Sequence, residues 1–203
     1  MKFMYRTAVV DVLVAILAII AVDAVCRILL RRKAVLRERG TASPLFKLLR
    51  VSVNLAGLAC FAAVAGSGFL SVLTEQNSLS GYRLMAHVIA APMFAITGTL
   101  IAIFWAHRNQ FTAADWKRLR LRSEASEPGG AWAVVLRKIF FWVAVALAVP
   151  TMVSILAAMF PLPSPDEQQT LFLIHRSCAL PLAAAGLLFA YFALVSWRVR
   201  AQD

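Results

Sequence analysis

Residues 81–105, GYRLMAHVIAAPMFAITGTLIAIFW, decide how the chain is read. The run exceeds the roughly 20 apolar residues that carry a helix across a hydrocarbon core, yet it holds an ionisable side chain, His87, soon after its start. Such a residue inside a spanning segment is costly and marks a functional site by default. Residues 171–197, LFLIHRSCALPLAAAGLLFAYFALVSW, repeat the arrangement with His175. Gly98 and Gly186 each lie eleven residues beyond their histidine, and Pro92 and Pro181 lie five and six beyond. Arg50 precedes His87 by 37 residues and Arg137 precedes His175 by 38, each arginine opening a further apolar run. The spacing reads as a two-helix unit used twice.

Composition agrees. The chain is 203 residues long, 61% hydrophobic and 15% charged, against about 25% charged in soluble domains. This is the profile of an all-α membrane protein with one bundle and no separate soluble domain. A net charge of +11 raises the question of nucleic acid, but its distribution answers it: the positive charge sits in the loops that flank the apolar runs. Cys26, Cys60 and Cys178 all lie in apolar segments without a C-x-x-C-H run, and read as small buried hydrophobes.

Five runs are long enough to span, at about 7–29, 48–73, 82–106, 136–160 and 170–197. Of the 21 lysines and arginines, 17 fall in residues 27–50, residues 108–138 and the tail at Arg198 and Arg200. The positive-inside rule places these three segments in the cytoplasm, the N-terminus outside and the C-terminus inside a bacterial inner membrane. The first run has signal-peptide features in Lys2, Arg6 and Ala24. Cleavage there would strand the cluster at residues 27–50 outside, so a retained helix is the better reading. Residues 1–45 are then an N-terminal spanning helix with a basic cytoplasmic linker, and residues 46–203 a four-helix bundle. Asp23 and Arg27 are spaced for an i,i+4 ion pair, whereas Asp11 has no such partner and is placed to face another subunit.

The second run carries Gly66 and Gly68 near its outer end, level with His87, where small residues admit a neighbouring helix or a flat ligand. After His107, Thr112 to Asp115 (T-A-A-D) resembles a capping box and precedes WKRLRLR. A short basic helix on the inner surface follows, with Trp116 as its interfacial anchor and Glu127-Pro128-Gly129-Gly130 as its stop; its charge reads as setting topology rather than as recognising a particular lipid. On the outer side, Ser164-Pro165-Asp166-Glu167 starts the last helix near Pro165.

With this topology the third and fifth runs descend in the same direction, and both imidazoles lie about 8 Å below the outer end of their run. Facing helices of a bundle can then offer one nitrogen each to a metal held between them. A haem iron with two axial histidines fits. Arg83, one turn outward of His87, and Arg176, next to His175, suit the propionates of an outward-pointing haem. A bare zinc or copper ion would need three or four close donors, and Cys178 is the only candidate third. The competing account is that both histidines are buried polar residues of a structural bundle. His107 lies about 30 Å from His87 along the helix axis, at the cytoplasmic end, where solvation accounts for it.

These features together resemble the small membrane-bound b-type cytochromes that serve as quinone-linked subunits of respiratory complexes. The resemblance rests on four core helices with His87 early in one and His175-Arg176 early in another, and covers residues 46–197. It implies a four-helix transmembrane haem-binding bundle plus one extra N-terminal helix. One haem b near the outer face would be ligated by His87 and His175, with Arg83, Arg176, Gly66 and Gly68 around it. Electrons would pass between membrane quinone and a periplasmic redox subunit of a larger complex, so the chain is an electron-transfer subunit rather than a self-contained enzyme. Many such proteins place a second histidine about four turns further along each ligand helix. Here those places hold Leu100, Ile101, Leu188 and Phe189, which argues for a single haem. Glu75, Tyr82, Asp166 and Glu167 are within reach as proton acceptors for quinone, with none singled out. The rival function is a haem-free scaffold subunit. A transporter is weaker still, because the two units run in the same direction where many transporters use inverted repeats.

Overall fold

The computed structural model describes residues 2–29, 43–74, 79–121 and 130–201. Among these residues there are helices and short turns but no strand: α1 (Lys2–Leu29), α2 (Pro44–Thr74), α3 (Gly81–Ala106), a single 3₁₀ turn (His107–Asn109), α4 (Ala113–Leu121), α5 (Gly130–Met159) and α6 (Pro165–Ala201). By length and composition α2, α3, α5 and α6 can each cross a membrane. The described apolar stretch of α1, Thr7–Ala21, is shorter than that. The Asp23–Arg27 pair, Cys26, Glu75 and the stop at residues 127–129 lie outside the residues whose side chains are described.

Local chemistry fixes the helix starts. Ser164 donates its backbone N–H and its hydroxyl to Glu167 Oε2 at 2.7 and 2.9 Å, and the Glu167 N–H donates back to Ser164 Oγ at 3.4 Å. With Pro165 as first helical residue, where a missing N–H costs nothing, this capping box begins α6 where the sequence places it. Thr112 and Asp115 build the same device for α4: the Thr112 N–H and hydroxyl each lie 2.7 Å from Asp115 Oδ2, and the Asp115 N–H returns to Thr112 Oγ1 at 3.3 Å. The start of α3 is different. Ser80 makes no side-chain cap bond, and the chain enters through Gly81 at φ +58°, a left-handed conformation that glycine adopts without a Cβ clash.

The chain divides into two compact units, residues 1–12 with 39–108 and residues 13–38 with 109–203. In the first, α2 and α3 form an antiparallel hairpin. Phe46 meets Phe104 at one end (ring centroids 5.7 Å apart) and Phe61 meets Phe94 further along (5.8 Å). Gly57 lets the helices close on each other: a Cβ there would collide with the Ile101 side chain. No residue of α3 is buried, leaving an apolar surface of the kind lipid covers in a spanning helix.

In the second unit, α5 and α6 form the corresponding hairpin. Phe140 stacks on Phe192 at 5.8 Å, and Phe141 packs against Phe189 at 5.6 Å. Phe192, Phe141, Leu188 and Ala185 are all nearly inaccessible. Between spanning helices such aromatic and small-residue packing supplies the van der Waals contact that lipid tails would otherwise provide. Within this unit α1 touches α6, where the Tyr191 hydroxyl donates to the Ile20 carbonyl at 3.4 Å. Each unit is thus a helical hairpin with its histidine on the second arm.

Candidate functional site

In the first hairpin His87 stands two turns inside α3, and its Nδ1 lies 3.1 Å from Ser67 Oγ on α2. The serine hydroxyl has one proton, and its shortest bond, 2.6 Å, is to the Ala63 carbonyl, with the Val64 carbonyl at 3.1 Å. With that proton committed to its own helix, Ser67 Oγ accepts from the imidazole. The hydrogen-bond geometry therefore favours a proton on Nδ1. Gly68 is level with the ring: a Cβ at this position would sit 3.4 Å from His87 Cε1. Nothing stands within 4 Å of the equivalent point on Gly66.

The second hairpin repeats the device with one change. His175 Nδ1 lies 2.9 Å from the backbone carbonyl oxygen of Thr151 on α5. A carbonyl only accepts, so His175 also carries a proton on Nδ1. Ser154 donates to the same Thr151 carbonyl at 3.1 Å, and Ser67 Oγ lies at the same distance from the Val64 carbonyl. Ser67 lies 17 residues beyond Arg50, and Ser154 lies 17 beyond Arg137. The two serine–carbonyl pairs are counterparts; one histidine lands on the hydroxyl and the other on the carbonyl. A ring N–H held by an acceptor on a neighbouring element is one of the arrangements that orients a metal-binding histidine.

Ser67→Ala tests this assignment. Imidazole ¹⁵N shifts of the purified chain are expected to show His87 losing its uniform Nδ1–H form, while His175, held by backbone, keeps it. The stability cost is about 1 kcal/mol, that of one hydrogen bond.

The remaining sequence candidates fall as follows. Arg83 is half-buried and one turn before His87, while Arg176 is exposed beside His175. Cys178 is half-buried and has a free thiol, as does Cys60. Among the described residues no three His, Cys, Asp or Glu side chains gather as a metal-binding group. Tyr82 is 92% exposed; Asp11, Asp166, Glu167 and His107 are exposed as well.

The opposite ends of both hairpins hold polar anchors that sequence spacing only hints at. Arg50 lies over the Trp105 ring at 5.1 Å, and the Trp105 indole donates to Asn54 Oδ1 at 3.1 Å. In the second unit the buried Arg137 donates from Nε to Asn109 Oδ1 and from Nη1 to Ser196 Oγ, both at 3.1 Å. Trp142 donates to the Asn109 carbonyl at 2.9 Å, and Lys138 pairs with Asp115 at 2.5 Å. The repeated arginines therefore mark structural locks, one per hairpin, far along the helices from the histidines.

Fold and site define a helical, membrane-spanning protein assembled from two histidine-bearing hairpins. Compared with protein-family models, curated proteins and solved structures, the chain matches none.

Proposed function

We propose that the chain is a membrane b-type cytochrome subunit with a single haem b, ligated by His87 and His175, that carries electrons between membrane quinone and a redox partner on the periplasmic side. The observation that carries the reading is the matched pair of imidazoles, each held through Nδ1 by the neighbouring helix of its own hairpin. Two such donors fit the axial positions of a haem and fall short of the three or four that a structural or catalytic zinc takes.

Bound between these ligands, a haem would supply one-electron redox chemistry at a potential set by ligand basicity, burial and nearby charge. The chain's own residues define those settings. Ser67 and the Thr151 carbonyl accept the imidazole N–H groups and strengthen the opposite nitrogens as donors. Arg83 and Arg176 bring positive charge beside each histidine, suited to propionates. Gly68 keeps the α2 surface next to His87 free of a side chain. Leu100, Ile101, Leu188 and Phe189 leave the other half of each hairpin without a ligand of this kind.

The basic loops support an inner-membrane orientation with the N-terminus outside and the histidines near the outer face. Quinone, lipid and neighbouring redox subunits are the partners this implies.

Reduced-minus-oxidised visible spectra and a pyridine haemochrome assay on the purified chain test the proposal. One haem b per chain with a six-coordinate spectrum is expected. A folded preparation that neither retains nor takes up haem overturns it in favour of a haem-free scaffold subunit.

A further inference from the structure

Helix α4 carries Lys117, Arg118 and Arg120 and only one acid, Asp115. That acid is 2% exposed and bound to Lys138 of α5, so it contributes no charge to the outer surface. At 100° per residue, Asp115, Arg118 and Leu119 share one face of α4. The other face presents Trp116, Lys117 and Arg120, all exposed.

Lys138 fixes the height of this face. It lies eight residues into α5, between Trp132 and Trp142, which are 42% and 40% exposed; Trp116 itself is 51% exposed and packs on Phe111 at 5.3 Å. Exposed tryptophans at the end of a spanning hairpin mark the level of the lipid headgroups. The buried bridge thus holds a cationic face, with an indole beside it, at the tryptophan-bearing end of α5.

We infer that the Trp116–Lys117–Arg120 face of α4 is a docking surface for anionic phospholipid headgroups. The outward charge is complementary to a phosphate, the indole sits at the interface where it is stable, and lysine and arginine at this level gain from a negatively charged leaflet. The face is independent of the histidine site and of any cofactor there.

The test uses the full chain in mixed phosphatidylcholine and phosphatidylglycerol vesicles in which one lipid or the other is brominated on its acyl chains. The Trp116 signal is taken as the difference from Trp116→Phe. Brominated phosphatidylglycerol is expected to quench Trp116 more strongly than brominated phosphatidylcholine at low salt. In Lys117→Gln/Arg120→Gln the preference should fall by about fivefold for each cation removed, and high salt should erode it in the wild type. Both substituted positions are exposed, so the fold is retained. Equal quenching by the two lipids, or a preference that survives both the double substitution and high salt, overturns the inference.

Discussion

Alanine at either His87 or His175 is expected to abolish bound haem rather than halve it. The two imidazoles belong to separate hairpins, each with its own anchor on the neighbouring helix, and the proposed ligation takes one from each. Loss of either leaves one axial bond to hold the cofactor, so the haemochrome signal per folded chain should fall more than tenfold in each single variant. The double variant should lose little more, because the two residues act as a unit. Circular dichroism of the same preparations separates this outcome from unfolding: helix content should be unchanged, since the hydrogen bond from each Nδ1 to the neighbouring helix is worth only about 1 kcal/mol. Ser67→Ala should keep the haem but shift its potential, because His87 would lose the acceptor that strengthens its Nε2. Retention of full haem in His87→Ala or His175→Ala would remove these residues from the site.

Much of this arrangement was legible in the sequence. Helical class, four of the five long apolar runs and the two-fold use of an arginine–histidine spacing all follow from hydropathy and register, because a spanning helix must satisfy its backbone internally and so announces itself by length alone. The start of α6 at Pro165 and the cap of α4 at Thr112 were legible for a local reason: each is a serine or threonine followed three residues later by an acid.

What could not be read was the role of side chains that only packing brings together. Ser67 is one of several serines in an apolar helix; its meaning appears when His87 lies 3.1 Å away. The matching 17-residue offset of Ser67 and Ser154 from their arginines was the available signal. The Thr151 carbonyl has no sequence signature, because every residue has one. Arg137 and Lys138 read as loop-side charge that sets topology, yet they are 5% and 6% exposed and tie α5 to Asn109, Ser196 and Asp115. Charge composition reports that a basic residue is present and is silent on whether a neighbouring helix neutralises it.

That neutralisation leads to the largest expected stability effect. Lys138→Met should destabilise the second unit by about 3–5 kcal/mol, because it leaves the Asp115 carboxylate buried without its cation. The Thr112 hydrogen bonds remain and cap α4, so the damage should concentrate where α4 docks: hydrogen exchange of residues 113–121 should speed up sharply while the α5–α6 core, built on Phe140, Phe141 and Phe192, stays protected. Lys138→Met combined with Asp115→Asn should recover part of the loss, since the asparagine carbonyl oxygen can still accept from Thr112 while no charge is left buried. The same pair predicts an acid limit. Burial pushes the Asp115 carboxyl upward, but the Lys138 ammonium and the two Thr112 bonds outweigh it and hold the group below the 3.8 of an ordinary aspartate. A depressed folded-state value means that the contribution is complete above the unfolded value and is lost as pH falls through the folded one. Protection of α4 should therefore be flat from neutral pH down to about 5 and fall only below about 4. In Asp115→Asn that acid step should vanish, and a step that persisted would assign it to another carboxylate.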